Sequence, residues 1–506
     1  MSLAAPSMVA RRLRVLVEMR PALDGHSGIP QETRLLFCGL AGLPEVEVIG
    51  LLQSGNLLMA PGLPMGADGV AGDLPAERRV DLLSRVLVSL QQHPRIGRIE
   101  HARRMLKFGW RACTWFLSGL FGRSVRLTFF DPAKFEDFIW RSLFAKSLPP
   151  ADLPTVTTRP FWLVDAPWSL SHRVGVAASA WGHAVYPRLR TKGVAVMIAE
   201  TPFPGRVERG TTLVVRYHDS IPLLMPHTIK NMGLHRAAHY EALKRNVRDG
   251  AWFACVSEST RLDLLAVFPQ LQQRAVTIPN MVSHHFHPET EGPGRVPEVV
   301  WARKNRGAPF AGGAPVVLGE DGSFTYLLMV ATVEPRKNHL MLLEAWERLR
   351  SHGFPHLNLV LVGSLGWGHD GIEQRFAPWL ERGGLHLLEG VPSDDLRLLY
   401  RHAAVTVCPS LGEGFDFPGV EAMRSGGVVA ASDIPVHRDV FDDACAYFGA
   451  YAAQELAAVV TRLMQPEAEG ERQGLRARGL AVAERYLPEH VIPQWQRFLR
   501  ELSLVR

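Results

Sequence analysis

The sequence predicts an α/β protein made of two doubly wound units, and three observations carry that expectation. Short apolar runs recur along the chain, each followed by a glycine- or proline-marked turn and a helix-length segment, the pattern of buried parallel strands with covering helices. The alternation breaks at a stretch crowded with Gly and Pro, Glu289 to Ser323, and then begins again. A chain of 506 residues also exceeds what one compact core holds.

In the first half, Arg14–Glu18 reads as a strand, Gly25–Thr33 as the turn after it, Glu32–Leu43 as a helix and Val46–Ile49 as the second strand. The first turn lacks a Gly-x-Gly-x-x-Gly string, which argues against a dehydrogenase. Residues 56–160 read as an insertion. Within it, Ala60–Pro75 is a Gly/Pro-rich loop, and Arg95 to Arg126 sets eight basic residues against Glu100 alone. Interleaved are Met105, Leu106, Phe108, Trp110, Trp115, Phe116, Leu117, Leu120 and Phe121. Such a mixture suits a helix lying in an anionic membrane interface, and equally a helix whose aromatics pack on its own domain. No nucleic-acid motif accompanies it.

From Phe161 the alternation resumes. Phe161–Asp165, Ala195–Ala199 and Leu213–Tyr217 read as successive buried strands, followed by Trp252–Val256 and Ala275–Asn280, with Ser257 as a helix N-cap. His218 and Asp219 stand at the carboxyl end of Leu213–Tyr217, the edge at which open α/β sheets bind ligands.

The second unit opens with the strand Tyr326–Ala331 and the turn Thr332–His339, leading into the helix Leu340–Arg350. Arg336 and Lys337 sit beside a helix N-terminus, where cations oppose the dipole, so a bound anion is a natural reason for them. Leu359–Gly363 is the next strand, with Gly363 allowing close backbone approach, and Leu385 opens another. Ala404–Cys408 then precedes a loop holding Glu413, and Pro418 starts a helix carrying Glu421. The amides of Gly414 and Phe415 favour a phosphate, and the two carboxylates can accept from sugar hydroxyls on either side. A nucleotide sugar fits that arrangement, although the pair alone also fits a cap and a solvated face. Helices Ala453–Met464 and Leu475–Tyr486 follow, and Val491–Leu499, with Pro493 expected to kink it, forms the tail.

The formal charge of +6 suits polyanions or an anionic membrane. Five scattered cysteines argue for a reducing compartment and against a disulfide framework or zinc site. Met1–Arg12 has no apolar core of a secretory signal, and no apolar run is long enough to span a bilayer. These features predict a cytoplasmic protein, peripheral on the inner face of the membrane where 95–126 engages it.

Pro409 to Met423, Pro-Ser-Leu-Gly-Glu-Gly-Phe-Asp-Phe-Pro-Gly-Val-Glu-Ala-Met, resembles the Glu-x7-Glu signature of the retaining glycosyltransferases of family 4, which have the GT-B fold. Glu334-Pro-Arg-Lys-Asn338 matches that family's motif residue for residue, and Ala431–Arg438 is similar to its next strand and loop. The string from His218 to Pro222 resembles the family's His-Asp-Leu-Ile-Pro. Gly28-Ile29 agrees with its first glycine turn, whereas Pro30-Gln31-Glu32 departs, and Pro30 has no amide to offer a phosphate. The resemblance covers Arg14–Val48 and Phe161 to the C-terminus.

The resemblance implies roles. Arg336 and Lys337 hold the donor pyrophosphate, Glu413 the sugar hydroxyls and Glu421 the ribose. His218 reaches the donor sugar from the opposite domain, and Asp219 orients that loop or the acceptor. Gly28, Gly363, Gly414, Phe415 and Asp416 line the donor, and Val391 and Leu396 border the nucleobase. It implies an acceptor-side domain over 1–290, an irregular linker over 291–323, a nucleotide-sugar domain over 324–486, and a tail over 487–506 that crosses back. The implied reaction is metal-independent, cofactor-free, retaining transfer of a hexose, GDP-mannose first among donors, to a glycan or lipid-linked glycan. The strings look most like mannosyl- and rhamnosyltransferases of bacterial surface polysaccharides. A 2-epimerase of the same fold and a non-catalytic nucleotide-binding subunit are the alternatives.

Overall fold

A computed structural model describes residues 12–25, 28–66, 72–91, 98–179, 182–229, 232–303 and 316–504. Parts of six expected segments, at 1–11, 26–27, 67–71, 95–97, 304–315 and 505–506, lie outside the described residues. Two sheets organise the rest.

The first sheet has eight strands: β1 Leu13–Glu18, β2 Val46–Gln53, β3 Thr128–Phe130, β4 Phe161–Val164, β5 Val196–Ala199, β6 Thr212–Tyr217, β7 Trp252–Cys255 and β8 Ala275–Thr277. Their spatial order is β8-β7-β6-β5-β1-β2-β4-β3. All pairs are parallel except the edge pair β3–β4. Val15 and Val17 on one face and Leu16 on the other are fully buried, as expected of a strand covered on both sides. The chain winds outward from β1 to β2 and β4, then returns to the opposite side at β5, which pairs with β1 through Val15 and Val196. That reversal is a switch point, and Glu18, Glu200 and, one strand further, His218 lie at its carboxyl edge.

The second sheet is wholly parallel: β9 Tyr326–Val330, β10 Asn358–Val362, β11 Leu385–Leu388, β12 Val405–Cys408, β13 Val429–Ser432 and β14 Ala446–Phe448, in the order β11-β10-β9-β12-β13-β14. Its switch point falls between β9 and β12. The Glu334–Asn338 turn and the Pro409–Asp416 loop leave those two strands side by side.

Five helices frame the cleft and its surroundings: α1 Ile29–Ala41, α2 Arg98–Leu120, α3 Trp168–Ser179, α4 Phe417–Arg424 and α5 Pro488–Leu504. Helix α5 returns to the first domain, where Val491, Trp495, Phe498, Leu499 and Leu502 enter the core beneath β1 and β2. Pro493 lies inside it.

One expectation changes, and for α2 the structure shows which of its aromatics are covered. The stretch read as an irregular linker carries a helix at Val296–Arg303, because Val296, Val299 and Val300 share one face and bury it on the second domain. The aromatics of α2 do not all face outward. Trp115 is 2% exposed and packs in the first core with Phe108 and Ala112, while Arg111 is paired with Asp165. Leu106 and Trp110, at 75% and 74% exposed, remain outside with Met105, Leu117, Leu120 and Phe121. Among the described residues no helix is long and apolar enough to cross a membrane.

Candidate active site

The turn after β9 is held by Asn338, whose backbone is left-handed at φ 62°. Its amide donates to the Pro409 carbonyl at 3.1 Å and the Ala450 carbonyl at 2.8 Å, which fastens the turn to the loop after β12. Arg336 and Lys337 are thereby laid against Glu413. One arm of Arg336 meets Glu413 at 2.7 Å and donates to the Gly412 carbonyl at 2.8 Å, and the other meets Glu334 at 2.7 Å. Lys337 Nζ meets Glu413 at 2.5 Å. Burial opposes ionisation of Glu413, but the two cations outweigh it and hold the carboxyl well below its ordinary range.

Glu421, on α4, is buried as well, and among the described residues no cation pairs with it. The Tyr400 hydroxyl donates to Oε2 at 3.1 Å, while Oε1 is buried and makes no hydrogen bond among the described residues. Burial pushes this carboxyl up to about 7. Gln31, from the first turn of α1, faces it from the other domain. Two carboxylates eight residues apart thus have opposite electrostatics, one neutralised by cations and one left needing a donor.

The side chains between them do not all face the cleft. Phe415 is wedged between Phe417 and Tyr486. Asp416, expected to bind the donor, caps α4 in a left-handed conformation at φ 66°, which turns its carboxylate inward to accept from His437 at 3.0 Å. Val391 and Leu396 are half-buried against the second core. At Gly363 a Cβ would collide with the Ala331 carbonyl. Gly28, at φ 74°, begins α1 on the facing domain in a conformation that side-chain-bearing residues rarely adopt.

From the first domain, His218 closes the cleft. It lines a cavity of about 690 Å³ with Arg336, Asp219, Arg20, Trp168 and Trp367. Asp219 accepts from the Ile221 amide at 3.0 Å, fixing the turn after it. Burial and the nearby Arg216 lower the His218 pKa to about 4, so its imidazole is neutral. The two domains touch beside it: the Thr260 hydroxyl donates to the Gly414 carbonyl at 3.2 Å, Ser259 N–H to Asp439 at 3.0 Å and Trp367 Nε1–H to the Thr228 carbonyl at 2.9 Å.

His218, Arg336, Lys337, Glu413 and Gly414 therefore meet in one place, with Glu421 behind them. Sequence reading missed Glu18, Gln31, Glu200 and Arg216. Glu18 and Glu200 carried a signal, an acid at the carboxyl edge of each of two mostly apolar strands. Among the described residues no group of three His, Cys, Asp or Glu side chains could hold a metal ion.

Residues 315–479, which contain the whole second sheet and its four charged site residues, match the family model described as "Glycosyl transferases group 1". Over 208 residues the chain is 29% identical to serotype-specific mannosyltransferase WbdA of Escherichia coli, covering 41% of this chain and 24% of that protein. Over 169 residues it is 32% identical to O-antigen chain mannosyltransferase B of Escherichia coli, covering 33% and 44%. The aligned stretch spans less than half the length of either relative. Among solved structures, sucrose-phosphate synthase from Thermosynechococcus elongatus superposes with a TM-score of 0.57 at 13% identity, covering 98% of this chain and 100% of that one. Anabaena HepE in complex with UDP-glucose gives 0.52 at 13%, covering 97% and 100%. These likenesses establish the fold: two Rossmann-like domains of the GT-B kind.

Proposed function

We propose that this chain, whose residues 315–479 form a glycosyl transferases group 1 domain, is a retaining mannosyltransferase that moves a hexose from GDP-mannose to a hydroxyl of a glycan or lipid-linked glycan. The observation that carries the reading is the Arg336–Glu413–Lys337 cluster at one switch point, placed against His218 at the carboxyl edge of the facing sheet. The anomeric carbon–oxygen bond breaks with negative charge developing on the departing diphosphate. Arg336 and Lys337 are fixed in advance where that charge appears, which is the efficient way to stabilise it. They serve the purpose a divalent ion would serve, so the reaction needs none. Glu413 turns to the sugar hydroxyls as the diphosphate engages its two cations, and Glu421 takes the ribose hydroxyls. The acceptor oxygen attacks from the face the diphosphate leaves, and the departing phosphate oxygen takes its proton. The names of the two Escherichia coli proteins support mannose as the sugar.

The exposed face of α2 and the turn after it support a membrane-bound acceptor. Leu106, Trp110, Leu117 and Phe121 stand beside exposed Arg103, Lys107, Arg123 and Arg126, a composition that suits an anionic bilayer surface.

The test is transfer from a panel of nucleotide sugars to short mannose-ended acceptors, with and without EDTA, reading the new linkage by NMR. Retention with GDP-mannose, unaffected by EDTA, is expected. An inverted product, or turnover abolished by EDTA, would overturn the mechanism, and an epimer formed from donor alone would replace the activity.

A further inference from the structure

Beside His218 lies a carboxyl group to which the reading of the cleft above assigns no part. Glu200 follows β5 and is fully buried. Its Oε2 is 3.5 Å from His218 Nε2, and neither oxygen makes a hydrogen bond among the described residues. Thr33 stands near, but its hydroxyl donates to the Ile29 carbonyl at 2.8 Å.

The charges around it are already matched. Glu18, at the end of β1, holds Arg20 at 2.8 Å and accepts the Glu200 backbone N–H at 2.9 Å. Glu32, on α1, holds Arg216 of β6 at 2.8 Å and accepts the Met281 N–H at 2.9 Å. Asp219 caps the turn beyond His218. Among the described residues Glu200 forms no ion pair with Arg or Lys. Burial, offset only in part by Arg216 and reinforced by Glu18, pushes it up to about 8. Burial raises Glu32 too, but Arg216 and the Met281 amide restrain it. At neutral pH Glu200 is therefore an acid with an O–H to give, beside a neutral imidazole with one donor nitrogen and one acceptor nitrogen.

We propose that Glu200 is a positioning residue: its O–H donates to His218 Nε2, fixing the Nδ1–H tautomer so that the ring offers a donor, not an acceptor, to the sugar in the cavity. Ionisation of Glu200 reverses the pairing. The carboxylate then accepts from Nε2–H, and Nδ1 becomes an acceptor. The role in turnover rests on the proposed sugar transfer, whereas the tautomer does not.

Two readouts separate these. In protein labelled with ¹⁵N-histidine, with His218→Gln used to assign the ring, wild type is expected to show protonated Nδ1 at pH 7 and to change tautomer above about pH 8. Glu200→Gln, isosteric and able to donate from its amide, is expected to hold the Nδ1–H tautomer at both pH values. In transfer assays, wild-type kcat falls through the same pH range, while Glu200→Gln loses that alkaline limb and stays within about threefold of wild type at pH 7. Glu200→Ala loses at least about tenfold in kcat with little change in KM for donor. A protonated Nε2 at pH 7, or an identical alkaline limb in wild type and Glu200→Gln, overturns the proposal. A tautomer change without any glycosyl transfer upholds the Glu200–His218 pairing and sinks the transferase reading instead.

Discussion

Gly414 abuts the carbonyl of His218 so closely across the domain boundary that residue 414 has no room for a Cβ. The contact is backbone to backbone, and Thr260 bonds the Gly414 carbonyl from the same side. No side-chain rotation can therefore relieve a methyl group there. Gly414→Ala must part the domains at the point where His218 meets the Arg336–Glu413 cluster. A misplacement of about 1 Å costs on the order of 100-fold in rate, so kcat/KM is expected to fall by at least that much. Most of each core lies within one domain, so thermal unfolding should move little. A larger radius of gyration by small-angle scattering, with unchanged circular dichroism, checks the cause. Wild-type activity in the variant would place the reacting groups elsewhere.

Glu413 occupies the cations that the proposed mechanism gives to the diphosphate. Glu413→Gln frees them, since an amide satisfies Arg336 and Lys337 less well than a carboxylate. A charge-assisted hydrogen bond is worth about 1.5–3 kcal/mol. Nucleoside diphosphate binding should therefore tighten by about tenfold, while transfer falls by about 100-fold because the sugar loses its acceptor. Calorimetry with GDP alongside a transfer assay tests both halves. Weaker GDP binding in the variant would mean that Glu413, not the cations, holds the nucleotide.

Glu421 makes an opposite prediction about pH. With its carboxyl raised from 4.5 to about 7, the folded protein holds a proton that the unfolded chain has released across that window. Stability from this group is present below pH 4.5 and lost as pH rises through 7. Glu421→Gln removes the loss, so at pH 8 it should exceed wild type by up to about 3 kcal/mol and match it near pH 4. Ribose hydroxyls favour the ionised acid, so wild-type GDP affinity should rise between pH 6 and 8 and stay flat in the variant. Denaturant midpoints and titrations at several pH values measure both. A pH-independent gap in stability would show that the effect is steric.

Much of the fold and of the cleft is legible in the residue string, for reasons that differ from site to site. Buried parallel strands are apolar along most of their length, so β1, β9 and β12 stand out despite Arg14 and Thr406, and groups at their carboxyl ends are placed by topology. Arg336, Lys337 and Glu413 are placed at that edge in this way, and the resemblance of their strings to family 4 is what implies their roles. Glu18 and Glu200 are not joined by pattern, because 182 residues separate them and only the pairing of β1 with β5 brings them together. Asp416 misleads because spacing cannot show a left-handed cap, which sends its carboxylate to His437. The Val296–Arg303 helix is hidden by the surrounding Gly and Pro.

Helix α2 also shows where pattern runs out, since its basic and aromatic residues alternate without saying which face is covered. The structure divides them, and the division gives a paired test. Trp115, in the core, contributes to folding: Trp115→Ala should cost about 3–5 kcal/mol and lower the melting temperature. Leu106 and Trp110 lie on the outside, where changes to Ser should alter stability by less than about 0.5 kcal/mol. If that face meets the membrane, the outer double variant should lose flotation with vesicles containing anionic lipid and lose activity on lipid-linked acceptors, yet keep activity on short water-soluble glycans. High salt should weaken wild-type flotation by screening Arg103, Lys107, Arg123 and Arg126. Equal flotation of the outer variant and wild type would assign the exposed face to something other than a bilayer, while leaving the cleft between the domains untouched.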